Sequence, residues 1–316
     1  MASQGFAIET RGLTKRFGSF EALKALDLQV PAHSIFGFLG PNGAGKSTTI
    51  KLLLGLIRPS GGSGAVSGLD IVRDSVRLRR KVGYLAQEPR FYDHMTARET
   101  LRFAARLFYT GPADLIESRV EESLELTGLA EKADRPVKGL SGGERQRLGI
   151  AQAQINRPDV LILDEPAAAL DPLGRRDVLA IMERLREQST VFYSTHILDD
   201  VQRVSDTVAI LNRGDLIAQA PIEQLLGGNG QAVYCLRVKG DDTEARRLVS
   251  GQPWVTELKA EPVNGHSRWT VTVTSDQAAE ELLLPMVLNT GTVHVVEFGR
   301  KKYNLEEIFV NMVGGN

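Results

Sequence analysis

The chain has 316 residues, 42% of them hydrophobic and 24% charged, proportions typical of globular proteins and unlike those of disordered, fibrous or coiled-coil chains. At roughly 150 residues per domain this length predicts two domains, each able to bury its own core. Lysine and arginine number 38 against 39 aspartates and glutamates, which removes the basic footprint expected of a nucleic-acid binder.

Cys235 is the single cysteine, which excludes an intrachain disulfide and a multi-cysteine metal cluster and fits a reducing compartment. Its place in the apolar run Ala232 to Leu236 predicts strand packing. Met1 to Arg11 lacks an apolar core of signal-peptide length, and nowhere do about 18 apolar residues run together. Work at a membrane would therefore draw its membrane span from another chain.

From Phe6 to about Ala220 short β-rich runs alternate with segments of helical period, the pattern of an α/β domain around a largely parallel sheet. The strand predicted over Ser34 to Leu39 leads into Gly40-Pro41-Asn42-Gly43-Ala44-Gly45-Lys46-Ser47, which satisfies G-x-x-x-x-G-K-[ST] between a strand and a helix predicted to begin near Thr48. Glycines at these spacings let backbone N–H groups turn toward phosphates, and the helix N-terminus adds positive potential. Lys46 is placed to reach the β- and γ-phosphates of a nucleotide, and the Ser47 hydroxyl to ligate magnesium.

The basic run Arg77-Leu78-Arg79-Arg80-Lys81 reads as the solvated face of a helix rather than a nucleic-acid patch. From Pro89 to Val137 the pattern turns helical, opening on Thr96-Ala97-Arg98-Glu99, a capping box. Leu140-Ser141-Gly142-Gly143-Glu144 precedes another helix, so its serine and glycine amides can receive an anion at that N-terminus. The apolar strand Val160 to Leu163 ends at Asp164 and Glu165, which suit a magnesium-holding acid and a general base respectively. Val191 to Thr195 ends at His196. The phosphate loop, the two acids and His196 each fall just past a strand's carboxyl end, where open α/β sheets bind ligands.

Gly227-Gly228-Asn229-Gly230 is a flexible run of the kind that separates domains. It assigns residues 1–226 to the first domain, with a helical subdomain over about 89–138, and residues 231–316 to the second. The order β-α-β-β-α-β predicted beyond it matches a small ferredoxin-like α+β module. Trp254 and Trp269 are expected there as packing anchors.

Taken as a set and in this order, the phosphate loop, the LSGGE segment, the LILDE strand end and Ser194-Thr195-His196 resemble the ATP-binding-cassette family over about Phe6 to Ala220. The resemblance implies a P-loop NTPase fold with a helical insertion, hydrolysing ATP with Mg2+. From sequence alone Phe17 reads nearly as well as a core aromatic; the resemblance implies that it stacks on adenine, that the loop Gly40 to Ser47 with Thr48 holds the phosphates, and that Gln87 touches magnesium and the attacking water. Asp164 then reaches the ion through water, and His196 faces the γ-phosphate. Leu140 to Glu144 form the signature, whose Ser141 and Gly143 act on ATP held by the opposite subunit, so the resemblance implies a homodimer or heterodimer of cassettes, with Asp171 on the loop crossing between them. Where the family often reads E-P-T-x-G-L-D-P, this chain has Ala167 and Ala169, which leaves position 167 without a hydroxyl and position 169 without a glycine.

The extra C-terminal module and the ending Asn304 to Phe309 resemble ATPase subunits of exporters in which the permease is a separate chain. The implied place is peripheral, on the cytoplasmic face of the membrane, with Arg90 to Met95 near the permease and no nucleic acid bound. The alternative is a soluble cassette ATPase acting on ribosomes or DNA, whose usual tandem cassettes, coiled coil or basic arms are not visible in the sequence.

Overall fold

The computed structural model describes residues 5–226, 232–263, 265–301 and 305–314. The chain divides into two compact units, Met1–Ile222 with Phe309–Asn316, and Glu223–Ile308. The expected domain break at Gly227 to Gly230 lies outside the described residues. The division itself comes at Ile222, and the last eight residues group with the first unit where the sequence assigns them to the second.

The first unit opens with two long strands, β1 (Phe6–Phe17) and β2 (Phe20–Pro31), paired antiparallel. They are followed by β3 (Ile35–Leu39), α1 (Lys46–Leu53), β4 (Gly61–Val66), β5 (Leu69–Asp70), α2 (Ser75–Lys81) and β6 (Val82–Leu85). The helical insertion supplies α3 (Ala97–Ala105) and α4 (Ala113–Leu126), and then come α5 (Gly142–Gln154), β7 (Val160–Asp164), α6 (Pro172–Leu185), β8 (Thr190–Thr195), α7 (Leu198–Val204), β9 (Thr207–Asn212) and β10 (Asp215–Pro221); the short helix α8 (Ile222–Leu226) begins at the division.

Two sheets result. One is antiparallel in the order β2-β1-β4-β5; the other runs β10-β9-β3-β8-β7-β6 and is parallel throughout except for its edge strand β10. The central strands β3, β7 and β8 are buried at every position, as expected of a parallel sheet covered on both faces. Helix α1 packs against β2 and β4 on one side and β7 on the other, so the helix that follows the phosphate loop is clamped between sheets. Phe36, Phe38 and Phe192 fill the adjoining core; truncating any of them to alanine would cost about 3–5 kcal/mol.

The helical insertion has a core of its own, in which Leu101, Val120, Leu124 and Leu148 join α3, α4 and α5. Its predicted capping box is formed: Thr96 Oγ1 accepts the Glu99 N–H, and Glu99 Oε2 accepts the Thr96 N–H at 2.8 Å. The basic run on α2 is a solvated face, with only Leu78 buried.

The second unit contains β11 (Ala232–Gly240), α9 (Thr243–Ser250), β12 (Val255–Val263), β13 (His266–Val273), a broken helix and β14 (Val293–Arg300). The broken helix is α10 (Asp276–Ala278), a π-turn over Ala279–Leu283, and α11 (Leu284–Leu288). It opens just before Pro285, which has no N–H for the regular helical ladder. The sheet order β12-β13-β11-β14 is antiparallel throughout, the ferredoxin-like arrangement that the element order predicts. Trp269 is fully buried and its indole N–H donates to Asp242 Oδ2 at 2.9 Å; Trp254 is buried in the same core. The final helix α12 spans Leu305–Gly314.

Candidate active site

The carboxyl ends of four neighbouring parallel strands, β6, β7, β8 and β3, carry Gln87, Asp164 with Glu165, His196, and the phosphate loop respectively. The loop leaves β3 at Gly40, whose N–H donates to Thr195 O at 3.2 Å, tying it to the end of β8. A Cβ at Gly40 would lie 2.4 Å from Leu211 O. Gly45 has φ +111° and serves as N-cap of α1; this left-handed residue turns the loop straight into the helix. The helix consequently starts at Lys46, two residues earlier than predicted. Pro41, Asn42, Gly43 and Ser47 are exposed, Gly45 and Thr48 half-buried, and Ala44 and Lys46 buried.

Lys46 curls back over its own loop. Its ammonium donates to Gly40 O at 2.7 Å and to Pro41 O at 3.3 Å, and lies 3.5 Å from Glu165 Oε1. The other carboxylate oxygen, Glu165 Oε2, is 3.2 Å from His196 Nδ1. Glu165 follows β7 with φ +50°, a left-handed turn that folds its side chain back toward the loop. The structure thus brings Lys46, Glu165 and His196 into one cluster.

Ser194 Oγ donates to Asp164 Oδ1 at 2.5 Å and accepts the Glu165 N–H at 3.0 Å. The sequence assigns Ser194 no role of its own; its position depends on the β7–β8 register, which sets it opposite Asp164. Gln87 is exposed beyond β6. Phe17 is 51% exposed at the end of β1, with Lys15 Nζ 5.0 Å from its ring centroid. That exposure excludes the core-packing reading of this aromatic and leaves its ring open to a planar partner.

Ser141 caps α5, its hydroxyl accepting the Glu144 N–H at 3.3 Å while Glu144 Oε2 accepts the Ser141 N–H at 2.9 Å. Glu144 also pairs with Lys132, and this bond holds its carboxyl below the usual carboxylate range. Leu140 and Glu144 are buried, Gly143 half-buried, and Ser141 and Gly142 exposed. Among the described residues no hydrogen bond or ion pair links this segment to the Lys46–Glu165–His196 cluster.

Asp171 caps α6 by accepting the Gly174 N–H at 3.0 Å. Ala167 is buried, and Ala169 has φ +57°, so alanine occupies a left-handed position suited to glycine. Arg175, four residues past Asp171, donates to Asp200 Oδ1 at 2.5 Å, joining the first turn of α6 to that of α7 after His196. Burial pushes the Asp200 carboxyl up, with Arg175 opposing.

A family model for the ABC transporter matches residues 23–168, the segment containing the phosphate loop, Gln87, the LSGGE run and both acids. The uncharacterized ABC transporter ATP-binding protein YxlF of Bacillus subtilis (strain 168) is 35% identical, over 97% of this chain and 99% of its own length. This chain belongs to the ABC transporter ATP-binding proteins. The daunorubicin/doxorubicin resistance ATP-binding protein DrrA of Streptomyces peucetius is 34% identical over 98% of this chain and 92% of its own. Among solved structures, cbiO1 from Clostridium perfringens, part of the ABC transporter complex cbiONQ, superposes with a TM-score of 0.66 at 26% identity, covering 79% of this chain and 96% of that one. As an ABC subunit the chain binds ATP and is an ATPase. Phe17, Asp171 and His196 fall outside the segment matched by the family model, so their place rests on the geometry above. Among the described residues no helix is long and apolar enough to cross a membrane.

Proposed function

We infer that this ABC subunit powers an exporter whose membrane-spanning permease is a separate chain, working as a head-to-tail dimer around two molecules of Mg-ATP. One observation carries the reading: Glu165 is held beside the phosphate loop with one oxygen toward Lys46 and the other toward His196. A carboxylate so placed can take a proton from water, and a lysine beside it can hold the phosphate under attack.

In this reading the loop amides and Lys46 receive the β- and γ-phosphates, Lys46 exchanging Gly40 O and Glu165 for phosphate oxygens. Glu165, released, accepts a proton as water oxygen bonds the γ-phosphorus and the bond to the ADP oxygen breaks. His196 faces the γ-phosphate, and Phe17 offers its open ring to adenine. The Ser47 hydroxyl, the Asp164 carboxylate and the Gln87 amide form an all-oxygen donor set suited to magnesium, Asp164 acting through water. Bound there, the ion neutralises charge on the phosphates.

Ser141, Gly143 and Asp171 act across the dimer. The Ser141 hydroxyl accepts the Glu144 N–H, so its own proton stays available for a phosphate on the facing subunit. The partner is either a second copy of this chain or a related cassette.

An apolar groove of about 280 Å³ supports a membrane partner. Leu56, Tyr84, Leu107 and Phe108 line it, with Leu107 71% and Leu56 55% exposed; a short permease helix would cover it. The name of DrrA, which refers to drug resistance, supports outward transport. The subunit then sits peripherally on the cytoplasmic face.

The test is an affinity pull-down of tagged Glu165→Gln protein from detergent-solubilised membranes with Mg-ATP. A stoichiometric polytopic membrane protein is the expected result. Ribosomal proteins or nucleic acid in its place would overturn the exporter reading and leave the ATPase intact.

A further inference from the structure

Three consecutive residues, the last two of β8 and the one that follows it, each touch a different part of the site. His196 Nδ1 lies 3.2 Å from Glu165 Oε2, Thr195 O accepts the Gly40 N–H that opens the phosphate loop, and Ser194 touches both acids. The Ser194 hydroxyl has one proton and spends it on Asp164 Oδ1 at 2.5 Å, at the short end of the range for a hydroxyl donating to a carboxylate. Its lone pair then accepts the Glu165 N–H at 3.0 Å, an N–H that also points at Ser194 O at 3.2 Å.

We propose that Ser194 is a positioning residue for ATP hydrolysis, fixing through one hydroxyl both the orientation of the magnesium acid Asp164 and the turn that presents the base Glu165. The proposal rests on the reading of Asp164 and Glu165 as those two groups.

The ordinary account of a buried serine is that it satisfies its own hydrogen bonds within the fold, which a bond to a carbonyl of its own strand would do. Ser194 is fully buried but bridges to a neighbouring strand, and both partners are residues of the site. Occupying Asp164 Oδ1 fixes the carboxylate plane and leaves Oδ2 as the oxygen for the ion's shell. Anchoring the Glu165 N–H holds a left-handed residue, φ +50°, in a conformation that non-glycine residues rarely adopt unless neighbours enforce it. Without that anchor the turn relaxes, and the carboxylate leaves the side of the phosphate loop where Lys46 and His196 stand. Hydrogen-bond partners that orient the groups around an ion in this way are worth about 10–100-fold in metal affinity or activity.

The experiment uses the full chain and the variants Ser194→Ala, Ser194→Cys, Ser194→Thr and Asp164→Asn. Nucleotide affinity is measured in EDTA, Mn2+ binding to the ADP-loaded protein by electron paramagnetic resonance, and kcat and KM by phosphate release. For S194A we expect kcat to fall about 10–100-fold and Mn2+ affinity to fall about tenfold, with nucleotide affinity in EDTA unchanged and S194T recovering both. S194C, which keeps the volume but loses the strong donor, should behave as S194A and replaces it should the alanine variant not fold. Wild-type kcat and Mn2+ affinity in both S194A and S194C would overturn the proposal. Equal losses in S194T and S194A, accompanied by weaker nucleotide binding in EDTA, would overturn it too, because they mark a purely structural residue. D164N separates this from the underlying reading: wild-type Mn2+ affinity in D164N would show that Asp164 is not the metal acid.

Discussion

Glu165 Oε1 lies 3.5 Å from Lys46 Nζ, and both side chains are buried. The lysine proposed for phosphate and the acid proposed for water therefore hold each other. In the proposed mechanism an arriving γ-phosphate would compete with Glu165 for the same ammonium, so nucleotide binding and release of the base would be one event. Attraction between close charges strengthens as solvent is excluded, which makes this contact a brake on ATP binding as well as a store of geometry for hydrolysis.

Replacing Glu165 by glutamine removes the competing charge but keeps the shape. Turnover in Glu165→Gln should fall at least about 100-fold, the range lost with a general base, while ATP binds about three- to tenfold more tightly than in wild type. Equilibrium binding of a fluorescent ATP analogue and steady-state phosphate release check both halves. Unchanged turnover would sink the assignment of the base, and weaker binding would sink the competition argument.

Ala169 keeps φ +57° in a chain where glycine would carry no Cβ penalty. A left-handed residue with a Cβ costs roughly 1–2 kcal/mol, and glycine's extra unfolded-state freedom returns about 0.5–1 kcal/mol of that. Ala169→Gly should therefore stabilise the protein by about 0.5–1 kcal/mol, and Ala169→Val should destabilise it. Urea denaturation followed by far-UV circular dichroism decides the matter; a glycine variant less stable than wild type would show that the alanine is accommodated without strain.

Phe17 is half exposed with one ring face near Lys15, so its removal should leave the fold within about 0.5 kcal/mol of wild type. Stacking of a base on an aromatic is worth about 1–3 kcal/mol, and Phe17→Ala should raise the KM for ATP about tenfold with kcat little changed. Phe17→Trp should preserve affinity. An unaltered KM in the alanine variant would remove Phe17 from the nucleotide site.

What the sequence discloses is local, and what it withholds depends on strands far apart in the chain. The strand ends at Leu39, Asp164 and Thr195 were legible because buried parallel strands leave short runs dominated by apolar residues, and the Thr96–Glu99 capping box because its four residues are contiguous. The Ser141–Glu144 box was equally contiguous but hidden behind the functional meaning of the same letters. Ser194 was illegible as a partner of Asp164, since only the parallel register across 30 residues sets them side by side. The Arg175–Asp200 bond joins two helices whose first turns meet only after β7 and β8 pair. The early start of α1 follows from the backbone angle of Gly45, which no residue count reveals.

Glu144 links the signature helix to the fold through charge, and its sign of pH dependence is fixed by that. The Lys132 ammonium foremost, then the Ser141 N–H, hold the Glu144 carboxyl below its ordinary value, while burial opposes them. A carboxyl depressed in the folded state contributes stability that is fully present above its unfolded pKa, about 4.3. That contribution is lost as pH falls through the lower, folded value. Glu144→Gln keeps a side chain able to complete the capping box but removes the charge that attracts Lys132. At pH 7 the variant should be less stable than wild type by about 1 kcal/mol, the scale of one charged hydrogen bond partly open to solvent. Because both chains are uncharged at this position once the glutamate is protonated, the gap should begin to narrow below about pH 4.3 and close as the folded carboxyl titrates. Urea midpoints for the two proteins at pH 7, 5, 4 and 3 test this. A gap that stays constant down to the lowest pH would mean that shape, rather than the charge on Glu144, holds the start of the signature helix.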